Sequence, residues 1–233
     1  MHFGVVSFPG SNCEQDAVYA LRHLGFDASF VWHQDTNLSP YDAVVLPGGF
    51  SYGDYLRCGA VARFSPVMAE VVRYANAGKP VIGICNGFQV LTEAQLLPGA
   101  LIQNVNLKFL CQTVHLRVEK SVCAWLDLRP GTVVDIPISH NEGNYICDAP
   151  TLERLQANGQ IVLRYAEKDG STKPGGSAPN GALDDIAGIC NERGNVFGLM
   201  PHPERVTDGV SGATQGSVFF SAIVDYAQEV AGR

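Results

Sequence analysis

Short apolar runs alternate with amphipathic stretches along the first hundred residues of the chain. The apolar runs are typical of strands and lie at 2–8, 27–33, 41–49 and 79–84. Between them, 16–25 and 65–78 place apolar residues at helical spacing, and each stretch ends at a glycine. Ser11 and Glu14 have the spacing of a capping box, which predicts that Ser11 caps the first helix. This alternation of strands and helices indicates a parallel sheet covered by helices.

The second half of the chain is richer in strand-like sequence. Strands are predicted at 109–119, 132–139, 160–167, 186–190 and 195–200, and the last two form a predicted hairpin. The glycine-, serine- and proline-rich segment 168–185 predicts a surface loop, and 215–230 predicts a closing amphipathic helix. We therefore predict a single α/β domain over 1–233. Its sheet would be open, mostly parallel and flanked by helices, with an antiparallel strand extension in the C-terminal half.

Composition and charge narrow the functional class. Of the 233 residues, 46% are hydrophobic and 17% are charged, as in a globular protein. The net charge of −7 argues against general binding to nucleic acid or to anionic membranes. No long apolar run or basic-then-apolar leader is present, so we expect a cytoplasmic protein. The seven cysteines are scattered and include no C-x-x-C pair, so we expect most of them to be buried thiols and expect no metal site.

One cysteine has an unusual position in the pattern. Cys85 stands where the apolar run 79–84 changes into helix-like sequence, with Gly83 and Gly87 on either side. A strand that turns into a helix through one residue strains that residue and requires small neighbours, as in a nucleophile elbow. The thiol would lie at a helix N-terminus, which favours the thiolate, and the N–H of Asn86 would point to an oxyanion. A purely structural tight turn is the alternative.

A cysteine nucleophile requires a base, and six histidines are available. His140 and His202 both stand at strand ends in turn-rich sequence. His202 has the stronger context because Pro201 and Pro203 hold its segment extended. In an extended segment Glu204 lies on the same face as His202 and can orient one ring nitrogen, which leaves the other for the cysteine proton. A surface His–Glu pair in a proline-rich turn is the alternative.

A glycine-rich segment at 46–54 follows the third predicted strand. Adjacent glycines allow the backbone to approach a ligand closely, so the N–H of Gly49 is a candidate oxyanion donor beside that of Asn86. A plain glycine turn is the alternative reading of the same residues.

In this order, these motifs resemble those of the class I glutamine amidotransferases. Residues 83–89 match the family's G-x-C-x-G-x-Q, and residues 201–204 match its late P-H-P-E. Other stretches resemble the members of the family that work beside a separate synthetase in purine biosynthesis. These stretches lie at 8–16, 46–66, 138–145 and 185–205. The resemblance therefore covers almost the whole chain.

The resemblance implies a role for each matching residue. Cys85 would attack the side-chain amide of glutamine to form a thioester, and His202, held by Glu204, would transfer the protons. Gly49 and Asn86 would provide the oxyanion hole. The residues implied in substrate binding are Gln89, Asn141 and Gly143.

The resemblance also implies partners. The chain has no G-x-x-x-x-G-K-[ST] phosphate loop and no obvious acidic cluster for magnesium, so ammonia made here must be used elsewhere. The family's synthetase subunit binds ATP and formylglycinamide ribonucleotide. ATP and magnesium are thus expected on that partner, with no cofactor in this chain. A small third subunit usually joins such complexes.

Two other functions remain open at this point. An independent γ-glutamyl hydrolase on the same scaffold would act without a synthetase and would not need the segment 48–57. A non-catalytic binding module with a vestigial site is the other possibility. The intact set of Cys85, His202 and Glu204 argues against that second reading.

Overall fold

A nine-stranded sheet runs through the molecule, and two further strands pair separately. The structure is a computed structural model that describes residues 1–173, 175–209 and 214–231. The strands are β1 (His2–Ser7), β2 (Asp27–Trp32), β3 (Ala43–Leu46), β4 (Val81–Ile84), β5 (Ala100–Ile102), β6 (Leu110–Val118), β7 (Val133–His140), β8 (Asn144–Ile146), β9 (Ile161–Ala166), β10 (Ile186–Cys190) and β11 (Val196–Leu199).

From edge to edge the large sheet has the order β2-β1-β3-β4-β11-β10-β9-β6-β7. Neighbouring strands from β2 to β11 are parallel, whereas the pairs from β11 to β7 are antiparallel. The predicted α/β class, with an open sheet and an antiparallel extension in the C-terminal half, is confirmed. Strand β11 pairs with both β4 and β10, so the predicted hairpin joins the two halves of the sheet.

The described residues also form α-helices around the sheet. These are α1 (Glu14–His23), α2 (Pro66–Asn76), α3 (Asn86–Glu93), α4 (Ala149–Ala157), α5 (Val218–Ser221) and α6 (Ile223–Ala231). The first two helices end where the sequence predicts, because Gly25 and Gly78 adopt positive φ angles of 85° and 84°.

The capping box predicted at Ser11 is wrong. The residue that precedes α1 is Cys13, and no side chain caps the helix. Ser11 instead forms an isolated antiparallel bridge with Gly49, because the chain turns at Gly10, where φ is 85°. Pairing between distant segments has overridden the local capping signal.

Several elements of the second half were not predicted. The closing helix is interrupted at Ala222, which separates α5 from α6. Helix α4 begins after Asp148, whose side chain accepts the N–H of Thr151 at 3.0 Å. The described part of 168–185 contains no strand and ends in the short 3₁₀ turn Leu183–Asp185.

The centre of the sheet is apolar on both faces. Strands β3, β4 and β11 are buried along their whole length, as expected of parallel strands covered on both sides. In such open sheets, ligands bind in the crevice at the carboxyl ends of the strands. None of the helices in the described ranges has the length and apolar character needed to cross a bilayer.

Candidate active site

Cys85 stands at the carboxyl end of β4, near the middle of the large sheet. Its φ of 51° and ψ of −107° lie outside the regions that ordinary residues prefer, and α3 begins at the next residue. Packing requires the flanking glycines. A Cβ on Gly83 would lie 2.6 Å from the carbonyl oxygen of Gly87, and one on Gly87 would lie 1.9 Å from that of Leu46. The structure therefore contains a strained corner at the position where the sequence predicts it.

His202 and Glu204 follow β11, the strand beside β4. Nδ1 of His202 lies 2.6 Å from Oε1 of Glu204, and both side chains are almost completely buried. The extended conformation predicted for this segment is wrong, since Pro203–Arg205 forms a short 3₁₀ turn. Glu204 reaches the ring from within this turn, and the N–H of His202 donates to the carbonyl oxygen of Pro137 at 2.8 Å.

The charges around His202 favour its protonated form. Burial alone would lower the pKa of His202, but the negative charges of Glu204 and of the Cys85 thiolate raise it above its ordinary value. Nε2 of the ring is buried and has no close hydrogen-bond partner among the described residues. That nitrogen is free to exchange a proton with Cys85 or with a bound substrate.

The glycine-rich segment after β3 borders the same site. A Cβ on Gly48 would lie 2.7 Å from Cε1 of His202 and 3.3 Å from Cβ of Cys85, so both residues pack against this glycine. Gly49 lines the cavity with a φ of 129°, and a Cβ there would lie 2.7 Å from the backbone nitrogen of Asn12. Only glycine fits at these two positions, which brings the backbone close to the nucleophile.

The side chain of Asn86 connects α3 to that segment. Its Oδ1 accepts the N–H of Ser51 at 3.1 Å, and its Nδ2 donates to Asp54 at 3.2 Å and to Gln89 at 2.9 Å. Gln89 donates in turn to the carbonyl oxygen of Glu142 at 2.6 Å. The backbone N–H of Asn86 belongs to the first turn of α3, where no acceptor within the helix is available.

The segment 139–143 forms another wall of the site. The carbonyl oxygen of Ser139 lies 3.7 Å from Sγ of Cys85. His140 lines the cavity, is 3% exposed, and has no partner for either ring nitrogen among the described residues. Burial and the positive charge of His202 lower the pKa of His140 to about 4. His140 is therefore neutral where His202 is charged.

The structure separates Asn141 from Gly143. Asn141 lines the cavity, whereas Gly143 is not among the residues that line it. The N–H of Gly143 donates to Oδ1 of Asn104 at 3.0 Å, and its carbonyl oxygen accepts from Asn180 at 2.8 Å. A Cβ on Gly143 would lie 2.4 Å from the ring of His140. Gly143 thus packs against the His140 ring, and its role in substrate binding stays a prediction.

These residues surround a cavity of about 320 Å³. Its lining also includes residues that the sequence reasoning missed: Cys13, Asp54, Cys58, Phe109, Glu142 and Arg205. All of these except Phe109 fall within the stretches at 8–16, 46–66, 138–145 and 185–205, so the motifs contained the signal. In the described part of the chain, no group of three or more His, Cys, Asp or Glu side chains could hold a metal ion.

Acyl transfer through a thioester requires three kinds of group at one cavity. These are a thiol at a helix N-terminus, an imidazole oriented by a buried carboxylate, and backbone N–H groups. On an open α/β sheet, with a glutamine one turn into the elbow helix, they define a class I glutamine amidotransferase. The chain matches the CobB/CobQ-like glutamine amidotransferase domain over residues 1–218 and belongs to that family.

Individual relatives are similar over nearly their whole length. The phosphoribosylformylglycinamidine synthase subunit PurQ of Thermomicrobium roseum is 52% identical over 233 residues, covering 99% of this chain and 98% of the relative. Its counterpart from Nostoc sp. is 53% identical over 97% of each chain. A chain in the structure of PurLQS from Thermotoga maritima is 42% identical, with a TM-score of 0.85 and coverage of 97% of this chain and 98% of that one.

Proposed function

We propose that residues 1–233 act as one glutamine amidotransferase domain, the glutaminase subunit of a phosphoribosylformylglycinamidine synthase. The chain hydrolyses glutamine and supplies ammonia to a synthetase subunit. That partner converts formylglycinamide ribonucleotide to formylglycinamidine ribonucleotide in de novo purine biosynthesis. The observation that carries the proposal is the cavity lined by Cys85 and His202, with Glu204 hydrogen-bonded to the His202 ring. Similarity to PurQ subunits along the chain supports it.

In the first half of the reaction, the Cys85 thiolate attacks the carbonyl carbon of the glutamine side-chain amide. The carbonyl oxygen becomes an oxyanion, which accepts hydrogen bonds from the N–H groups of Gly49 and Asn86. Protonated His202 gives the proton on Nε2 to the leaving nitrogen, the C–N bond breaks, and ammonia departs. A glutamyl thioester on Cys85 and a neutral His202 remain.

In the second half, neutral His202 removes a proton from water, and the resulting hydroxide attacks the thioester. The C–S bond breaks, glutamic acid is released and loses its proton to solvent, and the Cys85 thiolate faces protonated His202 again. Glu204 holds Nδ1 through both halves and stabilises the charged ring. Gln89 positions the substrate beside the nucleophile.

The cofactors, the partner subunits and the cellular location are proposed from the family resemblance and from this sequence. ATP and magnesium would bind to the synthetase subunit and no cofactor to this chain, because the sequence has no phosphate-binding loop. The relation to PurLQS of Thermotoga maritima supports a synthetase partner, and the family resemblance supports a small third subunit. Free cysteines throughout the described chain fit a reducing cytoplasm.

An exposed apolar rim at the cavity mouth is the proposed docking surface for the synthetase. We define the apolar rim as the exposed apolar residues of segments 50–64 and 105–109, namely Phe50, Tyr55, Leu56, Phe64, Val105, Leu107 and Phe109. Phe50 and Phe109 also line the cavity, so both segments border its opening. Tyr55 is 76% exposed and Leu56 is 92% exposed, as in patches that a partner covers. Ammonia leaving the cavity would then enter the partner rather than solvent.

The test is Cys85→Ser in the complex reconstituted with its synthetase. We expect glutamine-dependent synthesis to be lost while synthesis from free ammonium continues, because only ammonia release depends on the thiolate. Glu153→Gln, on the exposed face of α4, should retain both activities. A Cys85→Ser protein that hydrolyses glutamine at the normal rate would contradict the assignment. Glutamine hydrolysis by the wild type without any stimulation of the synthetase would favour an independent γ-glutamyl hydrolase.

A further inference from the structure

Two carboxylates that the proposed mechanism does not use line the same cavity as Cys85. They belong to Asp54 and Glu142, and both residues are partly buried. The catalytic helix holds them in place, since Asn86 donates to Asp54 at 3.2 Å and Gln89 donates to the carbonyl oxygen of Glu142 at 2.6 Å. Asp54 has a φ of 54°, which is unfavourable for most residues with a side chain.

The two carboxylates lie close enough to influence each other. Burial and the negative charge of Glu142 raise the pKa of Asp54, against hydrogen bonds from Cys58 and Asn86. Burial and hydrogen bonds to both carboxylates raise the pKa of the Cys58 thiol well above its ordinary value. The Cys58 thiol is therefore neutral, and it supplies no positive charge to either carboxylate.

No cationic side chain balances this pair among the residues that line the cavity in the described part of the chain. No lysine is present there, and Arg205 is the one arginine. The Arg205 guanidinium instead contacts Asp16 at 3.4 Å and Sγ of Cys13 at 3.2 Å. The charge on His202 is paired with Glu204. The carboxylates of Asp54 and Glu142 are thus available to a cationic group of a ligand.

A separate observation also indicates a polar ligand in this cavity. His140 is only 3% exposed, and neither of its ring nitrogens has a hydrogen-bond partner among the described residues. A neutral imidazole offers one donor and one acceptor, and leaving both unpaired in a buried position is unfavourable. His140 lies two residues before Glu142 in the segment 139–143, so its ring and the acidic pair border one space.

From these contacts we infer that Asp54 and Glu142 bind the α-ammonium group of the substrate, with the ring of His140 facing the polar groups at the same end of the ligand. The inference rests on the proposed glutaminase function. Glutamine must place its amide carbon at Cys85, while its other end carries an ammonium and a carboxylate. A fixed acidic pair gives that end a charged partner, so Asp54 and Glu142 determine specificity for a free amino acid.

The test compares two ligands that differ only in the ammonium group, L-glutamine and 4-carbamoylbutanoate. Both are titrated by calorimetry into the full-length Cys85→Ser protein, which cannot turn them over. Adding Glu142→Gln should weaken L-glutamine binding about ten- to hundredfold, the usual value of a hydrogen bond to a charged group. Binding of 4-carbamoylbutanoate should be unchanged. Asp54→Asn should likewise weaken L-glutamine binding and leave 4-carbamoylbutanoate binding unchanged. Thermal unfolding verifies that this variant is folded.

Glu153→Gln is the matched control, since it removes the same charge from an exposed position on α4. It should alter the binding of neither ligand. Equal weakening of both ligands by Glu142→Gln would show a structural role and overturn the subsite, as would no weakening at all. If the Cys85→Ser protein binds neither ligand, the proposed function fails and the subsite fails with it. These two failures are therefore distinguishable.

Discussion

At the scale of single residues, two buried histidines in one cavity have pKa values that are shifted in opposite directions. Both are desolvated, which lowers the pKa of each, but His202 is paired with Glu204 and lies beside the Cys85 thiolate, so its pKa is raised overall. His140 has no acidic partner, and its pKa falls to about 4. This difference supports the proposal that His202 transfers the protons and that His140 is a neutral group facing the ligand.

The assignment predicts unequal effects of the two alanine substitutions. His202→Ala should lower kcat by the ~10²–10⁴-fold typical of losing a general acid–base, because no other group can protonate the leaving nitrogen. His140→Ala should change kcat less and raise KM for glutamine. Steady-state kinetics and the rate of Cys85 alkylation measure both effects. Equal losses of alkylation and turnover in His140→Ala alone would reverse the roles.

A second prediction concerns acid stability. Between pH 6.5, the ordinary pKa of histidine, and about 4, the folded-state pKa of His140, the unfolded chain binds a proton that the folded protein does not. Stability should therefore fall as the pH drops through this window, by about 3 kcal/mol from this group. His202, whose folded pKa is raised, is protonated in both states there and adds no slope. Urea unfolding across the window should give a flatter profile for His140→Gln. An identical pH dependence of stability in the wild type and in His140→Gln would show that His140 is not its source.

At the scale of secondary-structure elements, Asn86 couples helix α3 to the segment 51–54. Its side chain makes three hydrogen bonds in a buried position, to Ser51, Asp54 and Gln89. The same residue supplies a candidate oxyanion donor from its backbone. The position of the loop and the geometry of the oxyanion hole therefore depend on one another.

Asn86→Ala should break this coupling without removing the backbone N–H. The buried partners lose their hydrogen bonds, which typically costs about 1–3 kcal/mol for each group left unsatisfied. We expect lower stability in urea unfolding together with a reduced kcat for glutamine hydrolysis. Asn76→Ala, at the exposed end of α2, is the control and should change neither quantity. A stable Asn86→Ala protein with normal kcat would show that the side chain is dispensable.

The sequence predicted those elements whose signals are local. Strands β1 to β4, helices α1 and α2 and the corner at Cys85 follow from apolar periodicity and glycine stops, because each signal lies within about a dozen residues. Ser11 failed as a cap because its bridge to Gly49 spans distant segments. Helix α4 was missed although Asp148 precedes a proline at its start, a recognisable N-terminal signal.

The same limit applies to the candidate site. Cys85, His202 and Glu204 can be read from motifs because their chemistry is recognisable in short patterns. Asp54 and Glu142 lie inside such motifs, but their proximity arises from folding and has no local signature. The support that Asn104 gives to Gly143 is likewise a long-range contact between residues 39 positions apart. The sequence alone therefore could not show that Gly143 packs against the ring of His140.

At the scale of the whole molecule, the loop that carries Gly49 has two faces. Its inner side contacts the catalytic helix through Ser51 and Asp54, and its outer side presents Tyr55 and Leu56 to solvent. Five residues of this loop have positive φ angles: Gly49, Tyr52, Gly53, Asp54 and Leu56. A backbone held in such conformations can rearrange when a partner covers its outer side.

This arrangement predicts that the synthetase controls the glutaminase. Release of ammonia without an acceptor wastes glutamine, so we expect the isolated chain to be a poor enzyme in which the Gly49 N–H is turned away from the oxyanion. One missing oxyanion donor typically costs ~10²–10³ in rate, so partner binding should raise kcat by about that factor and change KM less. Glutaminase assays with and without the purified partner measure this difference. Leu56→Asp, in the apolar rim, should abolish the stimulation and leave the basal rate unchanged, whereas Val122→Asp, exposed outside the rim, should preserve it. An isolated chain that turns over as fast as the complex would refute this control and favour an independent hydrolase.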